Sequence, residues 1–154
     1  MNKRHEILFN QIKSYREHVL YLLDELSEQT AEEIPTGYNN NIRWNAGHIY
    51  TDQYKWIEHL TKEKTEVPEE FVTWFGYGTS PLNFTKETPT LEELKVLLKN
   101  QPERIMELYG HRLEEEFPPT EMGMFTIEQV LIRTIFHEGM HLQRIIDILK
   151  LVRR

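Results

Sequence analysis

The sequence predicts an all-α fold: a four-helix bundle running up-down-down-up, with a long ordered crossover between helices two and three. Apolar residues recur at helical spacing in four separate stretches, and no alternating strand pattern intervenes. Two of the stretches open on a Thr-x-x-Glu/Gln capping box, a start signal for helix. Connection lengths then set the path. Shorter links join helices one and two, and three and four, which favours antiparallel pairs. Residues 61–89 are enough chain to return along the bundle, so helices two and three can run parallel. A chain of 154 residues is expected to form one domain, 1–154, around a single core.

The first helix is expected over residues 2–29. Leu8, Ile12, Tyr15, Val19, Leu22 and Leu26 alternate spacings of four and three, as a bundle-facing stripe does, and no proline interrupts them. Thr30-Ala31-Glu32-Glu33 starts a short turn, and Pro35-Thr36-Gly37-Tyr38 breaks the chain. The second helix is expected from Ile42 to near Leu60, with Asn41 as the N-cap whose side chain accepts from the first turn. Trp44, His48, Thr51 and Asp52 fall roughly on one face, and Ile49, Trp56 and Leu60 widen its apolar side. In 61–89, Pro68, Gly76, Gly78, Pro81 and Pro89 exclude a long regular element. Phe71, Trp74, Phe75, Tyr77 and Phe84 make the same stretch too aromatic for a disordered tether, so it is expected to pack on the bundle. The third helix starts after Thr90, on the box Thr90-Leu91-Glu92-Glu93, with Leu91, Leu94, Leu98, Gln101, Ile105 and Leu108 as its stripe and Pro102 as a kink. The fourth starts at Thr126 on a second box, and Ile127, Val130, Leu131, Thr134, His137, His141, Ile145 and Ile148 share one face.

Composition excludes several functions. A formal net charge of −7, with basic clusters only at Lys3-Arg4 and Arg153-Arg154, argues against a nucleic-acid partner. There is no cysteine, hence no disulfide, thiolate metal site or cysteine nucleophile. His5, Glu6 and Asn10 among the first apolar residues are unlike a signal peptide, and no apolar run approaches the ~20 residues that span a bilayer. A soluble cytoplasmic protein without a membrane partner is the expectation.

The chemistry concentrates in Phe136-His137-Glu138-Gly139-Met140-His141. Two histidines four residues apart on a helix project from one face and can grip one divalent ion. His48 is the candidate third ligand. It lies roughly 9 Å into helix two, which in a helix of ~28 Å running the other way puts it at roughly 19 Å, between His137 and His141 at roughly 16 and 22 Å along helix four. Three neutral imidazoles leave a coordination position open, the pattern of a catalytic site. His137-Glu138-Gly139-Met140-His141 also spells the zinc-protease signature H-E-x-x-H. That reading fails, because no His or Glu follows among the thirteen residues after His141 and no sheet is available to hold a substrate strand. Glu138 lies about 100° from His137 around the helix and is a candidate catalytic base beside the ion, or a plain surface carboxylate. Asp52, one turn after His48, either takes part in the site by orienting an imidazole or ligating, or is an ordinary helix charge. Arg144 offers a contact for an anionic substrate, or a surface salt bridge. Trp74, Phe75 and Tyr77 wall the cleft or simply pack the crossover. His5, His18, His59 and His111 are expected on the surface without partners.

Asn41-Ile42-Arg43-Trp44-Asn45-Ala46-Gly47-His48-Ile49 and the segment from Thr126 through Ile145 resemble the helix-two opening and the two-histidine helix four of the DinB/YfiT-like superfamily of metalloenzymes. Helix order, crossover and length are similar over nearly the whole chain. The resemblance implies the up-down-down-up bundle, a divalent ion (nickel or zinc) on His48, His137 and His141, and a homodimer. It also implies activities from thiol S-transfer to thiol-dependent isomerisation. After His141 this chain has Leu142-Gln143-Arg144-Ile145 where relatives often carry Arg-Gly-Gln-Ile, a departure that leaves the subfamily and its substrate open.

Three functions are carried forward, the last a purely structural bundle whose apolar surface mediates dimerisation. In the first, the ion activates a bound water or a small thiol, giving a thiol S-transferase or hydrolase acting on a small molecule, with any sulfur brought by a low-molecular-weight thiol. In the second, the bundle is a non-catalytic metal- or ligand-binding module.

Overall fold

Helix signals dominate the sequence, and helices are what form. The computed structural model describes residues 1–152; the basic pair Arg153-Arg154 lies outside the described residues. Among the described residues there are six α-helices: α1 (Lys3–Leu23), α2 (Glu28–Glu32), α3 (Ile42–Thr61), α4 (Glu70–Phe75), α5 (Leu91–Tyr109) and α6 (Ile127–Val152), with a 3-10 turn at Pro81–Asn83. An isolated bridge between Glu116 and Thr126 is the one strand-like pairing among them. The all-α expectation holds.

The caps follow the sequence signals. Asn41 accepts from the Trp44 N–H at 2.8 Å, and the Thr90–Glu93 capping box closes in both directions. Thr126 and Gln129 form the second box, with N–H bonds of 3.2 and 3.3 Å. α5 runs through Pro102 as one helix.

Helix one ends earlier than expected. Asp24 caps α1, Glu25 takes a left-handed φ of 61°, and Ser27 then caps a separate short helix, α2, by accepting from the Thr30 N–H. Its buried face is also turned by one position. Phe9, Arg16 and Leu23 face inward with Leu8, Ile12 and Val19, while Tyr15 is 42% exposed. The turn lets Arg16 reach partners on other helices, and that outweighs the usual preference for an apolar residue there.

Cross-helix bonds order the long elements. α3 packs on α6, α5 and α4, and α1 packs on α5 and α6. Asn45 and Asp52 of α3 bond His141 and Arg133 of α6, and His48 lies against His137, so rising numbers on one meet falling numbers on the other. In the core, Ile42, Ile57, Leu94, Leu98, Val130, Leu131, Ile145 and Ile148 are fully buried. The crossover joins this core through Phe71, Trp74 and Phe75. Gly47 makes the join possible: a Cβ there would stand 2.2 Å from the Phe75 ring, so α3 and α4 approach only where the side chain is hydrogen.

One polar group sits inside the core. Arg16 is 1% exposed and donates to both oxygens of Glu138 (2.6 and 3.2 Å), to Gln101 (3.0 Å), to the Leu98 carbonyl (2.7 Å) and to Gln53 (3.2 Å). A charge buried this deeply is tolerated because every donor direction finds an acceptor and a carboxylate balances it.

Two histidines expected on the surface without partners are placed otherwise. His59 contacts Glu121 at 2.8 Å. His5 is buried, 3.3 Å from Glu114, in a cluster of three with Glu114 and Glu128. Arg4 bonds both of those carboxylates, which offsets part of their charge.

Candidate metal centre

α3 and α6 bring His48, His137 and His141 together, as the helix-height arithmetic requires. One ring nitrogen from each lies within 4.8 Å of the others, and the His48 and His137 Nε2 atoms are 3.1 Å apart. The ring centroids are separated by 4.5 to 4.9 Å.

Each ring is oriented from behind by a different acceptor. His48 Nδ1 donates to the Phe75 carbonyl at 2.7 Å and His141 Nδ1 to Asn45 Oδ1 at 2.8 Å, while His137 Nδ1 lies 3.0 Å from Asp52 Oδ2. The Asn45 amide orientation is itself fixed, since its Nδ2 donates to the Asn41 carbonyl and to Asn40 Oδ1. With the proton on Nδ1 of His48 and His141, and a carboxylate beside Nδ1 of His137 that favours the same tautomer, the Nε2 lone pairs are left for a cation. Trp44 stacks on His48 at 4.7 Å and 10°, and its own Nε1 is tied to Thr79.

The electrostatics keep the rings neutral. Burial first, then the neighbouring imidazoles and Arg133, hold His137 at about 3; burial, then His48 and Arg144, hold His141 at about 3. Burial lowers His48 as well. Three neutral rings that direct lone pairs at one another repel unless a cation lies between them. A tetrahedral site with Zn–N bonds of about 2.0–2.1 Å puts two ring nitrogens about 3.3 Å apart, close to the 3.1 Å found. The donor set fits a divalent ion of intermediate softness.

Asp52 stands beside the cluster. Its Oδ2 takes a 3.1 Å bond from Arg133 Nη1 and lies 3.0 Å from His137 Nδ1. Burial pushes its carboxyl up from the ordinary value, and the charges of His48 and Arg133 pull it back. Arg133 lies 4.2 Å over Trp56. Glu138 is not brought to the cluster. It is 6% exposed, bonded through both oxygens to Arg16, and absent from the cleft wall, which departs from both the catalytic-base and the surface-carboxylate expectations. The physical reason is its 100° offset from His137, which turns it toward α1.

The cluster opens into a cleft of about 1000 Å³. Tyr77, Arg144, Met140 and Leu82 line it; Trp74 and Phe75 do not. Sequence reasoning missed Asn45, Arg133, Trp44 and the Phe75 carbonyl as supports of the imidazoles. Asn45 carried a signal, being an amide three residues before His48 on a helix whose buried side is otherwise largely apolar. A backbone carbonyl carries none. Among the described residues no helix is long and apolar enough to cross a membrane.

Residues 11–145 match the sequence model of the family described as the DinB superfamily. No curated protein matches the chain.

Proposed function

The chain belongs to the DinB superfamily, and from that premise we propose that it is a metal-dependent enzyme whose divalent ion, zinc or nickel, is held by His48, His137 and His141. The observation that carries this reading is the cluster itself: one ring nitrogen each from His48, His137 and His141 within 4.8 Å of the others, with the His48 and His141 rings held through Nδ1 by Phe75 and Asn45 and Asp52 beside Nδ1 of His137. A divalent ion held there would supply Lewis acidity, lowering the pKa of a water or a thiol brought to it. The chain's own residues do the rest. Asp52 keeps the proton on His137 Nδ1 and balances the positive charge of Arg133. Trp44 and the Phe75 carbonyl hold the His48 ring in plane. Glu138 fixes the rotation of α6 through Arg16.

The open cleft favours reaction on a small molecule over storage of the ion, because a closed four-ligand site would serve storage better. We take the reaction as S-transfer from a low-molecular-weight thiol, or hydrolysis, in a single cytoplasmic domain. The up-down-down-up path belongs to the same proposal and is supported by the paired bonds between α3 and α6. So does a homodimer, for which Ile132 and Phe136, exposed by 53 and 71% along α6, are the expected surface.

The decisive experiment is a metal titration of wild type and the three His→Ala variants. One equivalent of zinc or nickel is expected in wild type, with affinity lower by about 100-fold in each variant. Full affinity in all three variants would end the metal reading. The loaded protein is then screened with thiols against electrophiles and esters; tight metal binding without turnover would leave only a binding module.

A further inference from the structure

The cleft beside the imidazoles carries a cation that no carboxylate balances among the described residues. Asp52 is the one carboxylate among the described residues lining it, and Asp52 is committed to Arg133 and His137. Arg144 lines the same cleft and has no carboxylate partner among the described residues; its guanidinium lies 5.2 Å over the Tyr38 ring, which holds it in place. In a chain of net charge −7, an unbalanced arginine inside the main cleft makes that cleft the place where an anion is drawn in. The apolar wall is equally specific. Tyr77, Leu82 and Met140 are exposed by 98, 89 and 54% and face the same space. Large apolar side chains left open beside a free cation match a ligand that has both parts.

We propose that the cleft binds a small organic carboxylate with an apolar body, its carboxylate held by Arg144 and its other end beside His141. The planar guanidinium suits a two-point carboxylate contact. Arg144 follows His141 by three residues, about 5 Å along α6, so a ligand anchored at the arginine has its next few atoms at the imidazoles. Arg144 is a specificity residue in this scheme. The proposal rests on the reading of the cleft as a substrate site, but its test does not need the ion.

The test uses the whole chain, freed of metal by chelation, with matched probes: a graded series of ω-phenyl carboxylates around 4-phenylbutyrate and the corresponding neutral amides. Binding is followed by calorimetry. At least one acid is expected to bind about tenfold more tightly than its amide. Arg144→Gln is expected to reduce that preference to about twofold, and Arg144→Lys to retain part of it. Both variants replace an exposed side chain, and circular dichroism checks their fold. Zinc affinity, measured separately, is expected to stay within about threefold of wild type in Arg144→Gln. Equal binding of acids and amides, a preference that survives Arg144→Gln, or no binding of any pair below about 10 mM each overturns the proposal. A failure of zinc to bind overturns the metal reading instead, and leaves the acid–amide comparison to judge this one.

Discussion

At the scale of single residues, the site depends on atoms one bond behind the ligating ones. Asp52→Asn and Asn45→Ala leave the imidazoles in place but release their rotation. Each is expected to weaken zinc binding by about 10- to 100-fold, read by competition with a chromophoric chelator. The same neutral rings set a pH dependence. His137 and His141 sit near 3 in the fold against an ordinary 6.5, so an unfolded chain takes up protons that the metal-free fold refuses. Stability from these residues is therefore complete above about pH 6.5 and is lost as pH falls toward 3. Urea denaturation of metal-free protein across that range is expected to show the decline, with a shallower one in a His137→Ala/His141→Ala double variant. The three histidines were legible in the sequence because an i, i+4 pair and a helix-height calculation need no tertiary information. Of their supports, Asp52 was legible one turn after His48 and Asn45 left a faint signal, but Arg133 and the Phe75 carbonyl acquire meaning only once α3, α4 and α6 are packed.

At the scale of elements, α4 and α3 meet at a contact that allows no added atom. Gly47→Ala puts a methyl into the Phe75 ring and is expected to destabilise the fold by about 1–3 kcal/mol, measured by denaturant titration. Because the Phe75 carbonyl holds His48, the same substitution is expected to lower metal affinity. Helix starts were legible from Asn41, Thr90 and Thr126, since capping is local chemistry. The end of α1 was not. Leu22 and Leu26 continue the stripe past the point where Glu25 turns the backbone left-handed, and periodicity alone does not register that turn.

At the scale of the molecule, Arg16 ties α1 to α3, α5 and α6 at one level. Arg16→Met alone strands Glu138 without its partner and is expected to cost about 3–5 kcal/mol, whereas Arg16→Met/Glu138→Leu recovers most of it. Thermal denaturation of the single and double variants checks this. The recovered double variant is also expected to bind zinc more weakly than wild type, since Glu138 adjoins His137 and Gln53 adjoins Asp52. Arg16 illustrates why a stripe rule misreads a core: a charge with five matched contacts is invisible to a pattern that counts only apolar residues.

The carbonyl that steadies His48 belongs to Phe75, and only a few residues later the same crossover forms the rim of the cleft with Tyr77, Thr79 and Ser80. The ligand proposed for the cleft and the ion proposed for the imidazoles would thus touch one short segment of chain, and any factor by which the first altered the grip on the second would be returned in equal measure.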